Sequence, residues 1–100
     1  MGKGYNKGET CAEAIEKVIH TLGNRASAVD IFTQVREMGS WTENNIWQEL
    51  IAHIVNLPPS YKHYYMVPPE KRFLFLREDG NYELYKPEWH GRYEQGKRIV

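Results

Sequence analysis

"SWTENNIWQELIAHIVN" (residues 40–56) decides how the whole chain reads. Ile46, Leu50, Ile54 and Leu57 recur at helical spacing, and Trp47, Ile51 and Val55 form a second stripe beside them. Thr42 suits an N-cap, because its hydroxyl can accept from an orphan N–H of the first turn. Glu43 complements the positive end of the helix. Pro58-Pro59 stops the pattern. A helix over 43–56 is therefore expected, apolar on its back, with Thr42, Asn44, Asn45 and Gln48 on its front. That front is either the reading edge of a nucleic-acid-binding module or the solvated side of a core helix with a good cap.

Two helices precede it. Thr10 with Glu13 three residues later is a capping box, and Cys11, Ile15, Val18, Ile19 and Leu22 line one face up to Gly23. This predicts a helix over 11–22. Ser27 and Asp30 open a second start, with Ala28, Ile31, Phe32, Val35 and Met38 on one face and Gly39 at the stop. This predicts a helix over 28–38, and a short strand is expected near Arg25–Ala26. After the third helix, "LPPSYKHYYMVPPEK" is irregular, with four prolines. "RFLFLREDGNYELY" then reads as a β-hairpin turning at Asp79-Gly80. Phe73 and Phe75 lie on one face, Leu74 and Leu76 on the other, and Tyr82 and Leu84 alternate with Glu83 and Tyr85.

Three helices followed by a hairpin is the order of an α+β, winged helix-turn-helix domain, the Gly39–Trp41 gap serving as the tight turn. An unrelated α+β domain with the same element order is the competing reading. The expected organisation is a flexible lead-in (1–9), a winged-helix domain (10–86) and a C-terminal tail (87–100). The tail would either dock by Trp89 and Tyr93 or run on into another domain.

These stretches resemble a known family. "TCAEAIEKVIHTLGNRASAVDIFTQV", "TENNIWQEL", "NLPP" with its His-Tyr segment and the "GNYELY" ending are similar to small winged-helix domains associated with restriction-modification and other DNA-processing proteins. HARE-type winged helices are a more distant likeness. The resemblance covers about residues 10–85. It implies a DNA-binding module that accompanies a nuclease or methylation-related enzyme. Such domains commonly carry Arg or Lys on the recognition face, and here the third helix has none.

Within that reading, Thr42, Asn44, Asn45 and Gln48 are the candidate base contacts. Asn and Gln can pair bidentately with adenine, and the first turns of a recognition helix enter the major groove first. Lys62, His63, Lys71, Arg72 and Arg77 are the candidate backbone contacts. The wing tip itself is acidic, at Glu78 and Asp79. The tail's Trp89, His90, Arg92, Tyr93, Lys97 and Arg98 are read either as an extension of the basic surface or as a loose end. The expected partner is double-stranded DNA, bound with modest affinity. The alternative is a protein-interaction domain using Trp47, Trp89 and the tyrosines as an apolar patch, and a third reading is an accessory domain of a larger enzyme.

The totals limit these readings. Thirteen Lys/Arg balance thirteen Asp/Glu, which removes the basic excess of a strong nonspecific DNA binder. The balance is uneven: residues 1–57 hold five basic and seven acidic side chains, and residues 58–100 hold eight and six. One cysteine excludes an intramolecular disulfide. With a polar start and no long apolar run, a soluble, cytoplasmic protein is expected. Four scattered histidines without a Cys pair do not have zinc spacing. Glu83-x-x-Lys86 has the wrong spacing for a metal-dependent nuclease, and there is no glycine-rich phosphate loop. No cofactor, no metal and no catalysis are expected.

Overall fold

The computed structural model describes residues 10–58 and 67–99. The element order is α1 (Cys11–Thr21), β1 (Arg25–Ala26), α2 (Ala28–Met38), α3 (Glu43–Ala52), a 3-10 turn (Pro69–Lys71), β2 (Leu74–Leu76) and β3 (Tyr82–Leu84). A short helix, α4 (Pro87–His90), and a hairpin, β4 (Tyr93–Glu94) with β5 (Lys97–Arg98), follow. The chain is thus α+β.

Each long helix begins on a side-chain cap. Thr10 Oγ1 accepts from the Glu13 N–H (3.1 Å) and Glu13 Oε1 accepts from the Thr10 N–H (2.9 Å), the reciprocal box expected at this start. Ser27 Oγ accepts from the Asp30 N–H and Thr42 Oγ1 from the Asn45 N–H, both at 3.1 Å. Past α1, Gly23 (φ 87°) and Asn24 (φ 71°) both take left-handed backbone. Glycine and asparagine do so with the least strain. The reversal carries the chain straight into β1.

β1, β3 and β2 form an antiparallel sheet in that order. Arg25 pairs with Glu83, Ala26 with Tyr82, Leu74 with Leu84, and Leu76 with Tyr82. Side chains alternate across a strand, so Leu74 and Tyr82 face the helices while Phe75 and Glu83 face away. The helix-facing side is the core. Ile15, Ile19, Ile31, Val35, Ile46, Leu50, Ile54 and Leu74 are its largest fully buried side chains. α1 is the central element, lying against α2, α3 and β3.

The third helix is shorter than the sequence pattern predicts. It ends at Ala52, not at Asn56. Residues 53–56 instead run beside β2: the Val55 N–H donates to Leu74 O (2.8 Å), and the Leu74 N–H donates to His53 O (3.0 Å). The Asn56 amide extends the pairing, accepting from the Leu76 N–H (3.0 Å) and donating to Leu76 O (2.8 Å). These bonds occupy an edge of β2 that would otherwise be unpaired. Apolar spacing could not reveal the change, because Ile54 and Val55 are buried either way.

The segment after Lys86 is folded. His90 stacks on Phe75 (ring centres 4.1 Å apart), and Tyr93 meets Phe75 edge-on at 5.8 Å. α4 and the hairpin therefore cover the outer face of the sheet. Tyr93 docks as one of the two expected anchors. Trp89 does not: it is 69% exposed, with Lys86 Nζ 4.7 Å from its ring centre. Among the described residues, no helix is long and apolar enough to cross a membrane. The lead-in over residues 1–9 lies outside the described residues.

Candidate nucleic-acid interface

Seven of the nine candidate contact residues lie among the described residues, and they do not all reach the surface. Thr42 is exposed, and its hydroxyl is engaged as the cap of α3. Asn44 and Asn45 are exposed on the first turn, and Gln48 is half-buried one turn on. These residues stay together because the Thr42 cap fixes where α3 starts. Trp47 lies on the same helix, 42% exposed, with its ring edge-on to Phe32 of α2 at 5.2 Å. It is therefore partly a packing residue and partly surface. Val29, also on α2, is 71% exposed.

The backbone-contact set is reduced. Arg72 is buried, not a surface cation. Its Nη2 donates to Val67 O (2.8 Å) and its Nη1 to Ile54 O (3.3 Å), so it ties the segment before β2 to the segment leaving α3. This corrects its expected role. A guanidinium pointing into the protein and bonded to main-chain carbonyls does not reach a phosphate. Arg77 is half-buried between two carboxylates, with Nε 3.1 Å from Asp79 Oδ2 and Nη1 3.5 Å from Glu83 Oε2. The Asn81 N–H, and after it Arg77, hold the Asp79 carboxyl below the usual carboxylate range. Lys71 is exposed on the 3-10 turn. Lys62 and His63 lie outside the described residues.

A polar cluster that the sequence reading did not anticipate sits on the outer sheet face. Glu83, at the centre of β3, accepts from His90 Nε2 at 2.9 Å and is flanked by Arg77 and by Arg25 at 3.7 Å. His90 Nδ1 lies 3.0 Å from the Lys86 nitrogen and 3.2 Å from Lys86 O. The ring is held between Phe75 and Tyr85, and the Tyr85 hydroxyl donates to Gly91 O at 2.7 Å. Burial raises the Tyr85 pKa. The cluster fastens the C-terminal segment to the sheet. The spacing Glu83…His90 carries no local signal, because only the fold of α4 brings the two together.

Cys11 is buried on α1. Burial first, and the Glu49 carboxylate second, push its thiol up to about 12. Its thiolate fraction near pH 8 should then be on the order of a thousandfold below that of an ordinary cysteine. A disulfide thiol reagent should modify the folded chain only as fast as it unfolds, and rapid stoichiometric modification under native conditions would contradict this environment. Among the described residues, no three His, Cys, Asp or Glu side chains are grouped to hold a metal ion.

No protein-family model, curated protein or solved structure matches the chain.

Proposed function

We propose that this chain is a non-catalytic winged helix-turn-helix module that binds double-stranded DNA through the first turns of α3. The observation carrying the reading is the exposed pair Asn44 and Asn45, presented side by side on a capped helix start. The element order, with a hairpin after three helices and β1 paired to β3, supports the fold. Gln48 is a third amide on the following turn. The helix available to the major groove is Glu43–Ala52, about 15 Å long at 1.5 Å per residue. Glu43 opposes phosphate, and α3 has no Lys or Arg, so affinity is expected to be modest and sensitive to salt.

A fluorescence titration with duplex DNA at low salt tests this, and no binding at protein concentrations of tens of micromolar would sink it. Asn45→Ala should then cost about 1–3 kcal/mol of discrimination between preferred and unrelated duplexes. An equal loss on all duplexes would instead mean that Asn45 reads no base.

A second reading rests on a separate observation. Trp47, exposed, packs edge-on to the half-buried Phe32, and Val29 is exposed one turn before Phe32 on α2. Aromatic anchors with few central charges favour a protein partner. The titration separates the two, because under this reading Asn45→Ala changes no duplex preference.

A further inference from the structure

Exposed positive charge among the described residues gathers in the C-terminal segment, which the sequence offered either as an extension of a basic surface or as a loose end. α3 carries Glu43 and Glu49, and the β2–β3 tip carries Glu78 and Asp79, with Arg77 drawn back onto Asp79 and Glu83. Residues 86–99, by contrast, hold four Lys/Arg against two Glu. Three of those cations, Arg92, Lys97 and Arg98, are exposed on the β4–β5 hairpin. Across the strands Glu94 faces Lys97 and Tyr93 faces Arg98.

The hairpin is fixed to the body of the domain. Gln95 (φ 51°) and Gly96 (φ 83°) make its two-residue turn, and the Ile99 N–H donates to Arg92 O at 2.7 Å to close it. Gly96 lies so close to the Leu57–Pro58 backbone that a Cβ would overlap the Leu57 carbonyl. Tyr93 sits among Phe75 and Tyr85, and Gly91 accepts from the Tyr85 hydroxyl. Cations on a docked hairpin lose less conformational freedom on binding than cations on a loose tail. Gly96 thus seats the hairpin on the Leu57–Pro58 segment, which follows α3 in the chain.

We infer that the β4–β5 hairpin, through Arg92, Lys97 and Arg98, is the surface that contacts the DNA backbone. It takes the place of Arg72, which is buried on main-chain carbonyls, and of Arg77, which pairs with Asp79 and Glu83. The inference rests on the DNA-binding reading above. Exposed Trp89, beside Lys86, adds an apolar face at the edge of the same segment.

The test is a duplex titration at several salt concentrations, using the native chain, Lys97→Gln, and the double variant Arg92→Gln/Lys97→Gln. Each phosphate contact contributes about 0.9 to the slope of log affinity against log salt. The double variant should lower that slope by about 1.8 and weaken binding about tenfold or more at low salt, with the single variant about halfway. Lys17→Gln on α1 should leave the slope unchanged. Native binding with an unaltered slope in the double variant overturns the hairpin assignment and leaves the α3 reading standing. An equal slope change in Lys17→Gln also overturns it, as an effect of net charge. No binding by the native chain removes both. Equal affinity for poly-L-glutamate at the same salt would assign the hairpin to acidic proteins instead of a phosphate backbone.

Discussion

Leu50→Ala should destabilise the domain by about 4 kcal/mol, within the range for large-to-small changes at fully buried sites. Leu50 has no exposed surface and sits on the apolar stripe that α3 turns toward α1. Deleting the side chain removes the transfer free energy of its methyl and methylene groups. It also leaves a cavity that packed neighbours fill only in part. In a chain of 100 residues the midpoint of thermal unfolding should fall by roughly 15–20 °C. Urea unfolding should show a lower midpoint with an unchanged slope. Ile51→Ala is the control: that neighbour is half-buried, so its loss should be clearly smaller. Equal losses at both positions would mean that α3 does not pack with the face described.

The second large effect is expected at Arg72. Arg72→Ala should cost about 3 kcal/mol, because it leaves the carbonyls of Val67 and Ile54 without their charged donor and removes the buried stem. Arg72→Met separates these contributions. It restores most of the apolar stem and none of the hydrogen bonds, so it should recover part of the loss and remain about 1–2 kcal/mol below the native chain. Native-like stability in Arg72→Met would show that desolvating the guanidinium cancels its hydrogen bonds, an outcome known for some buried ions. Because the side chain faces inward, both variants should keep the native salt dependence of any DNA binding while they remain folded. A changed slope would place Arg72 at the surface after all. The Arg77–Asp79 pair should matter far less, since solvent screens a pair this exposed.

The helix starts were legible because caps are local chemistry. Thr10 with Glu13, Ser27 with Asp30, and Thr42 three residues before Asn45 each place an oxygen within reach of a nearby orphan N–H. The Asp79-Gly80 turn and the alternation of strand faces were legible for the same reason. The end of α3 was not. Ile54 and Val55 satisfy a helical stripe and a buried extended segment equally well, and the choice came from β2, some twenty residues later in the chain.

The candidate site divides along the same line. Sequence alone determined that α3 would present Thr42, Asn44, Asn45 and Gln48 together and would carry no cation, because helical periodicity and composition fix both. It could not assign the arginines. Arg72 and Arg77 are five residues apart near one hairpin, yet one is buried against main-chain carbonyls and the other lies between two carboxylates. Nor could it find that Glu83 and His90 meet, decide between a docked and a continuing tail, or show that Arg92, Lys97 and Arg98 sit on a hairpin. Local signals determine which elements form. The tertiary structure decided which charges face solvent, because the burial of a long side chain depends on neighbours that only the folded chain brings within reach.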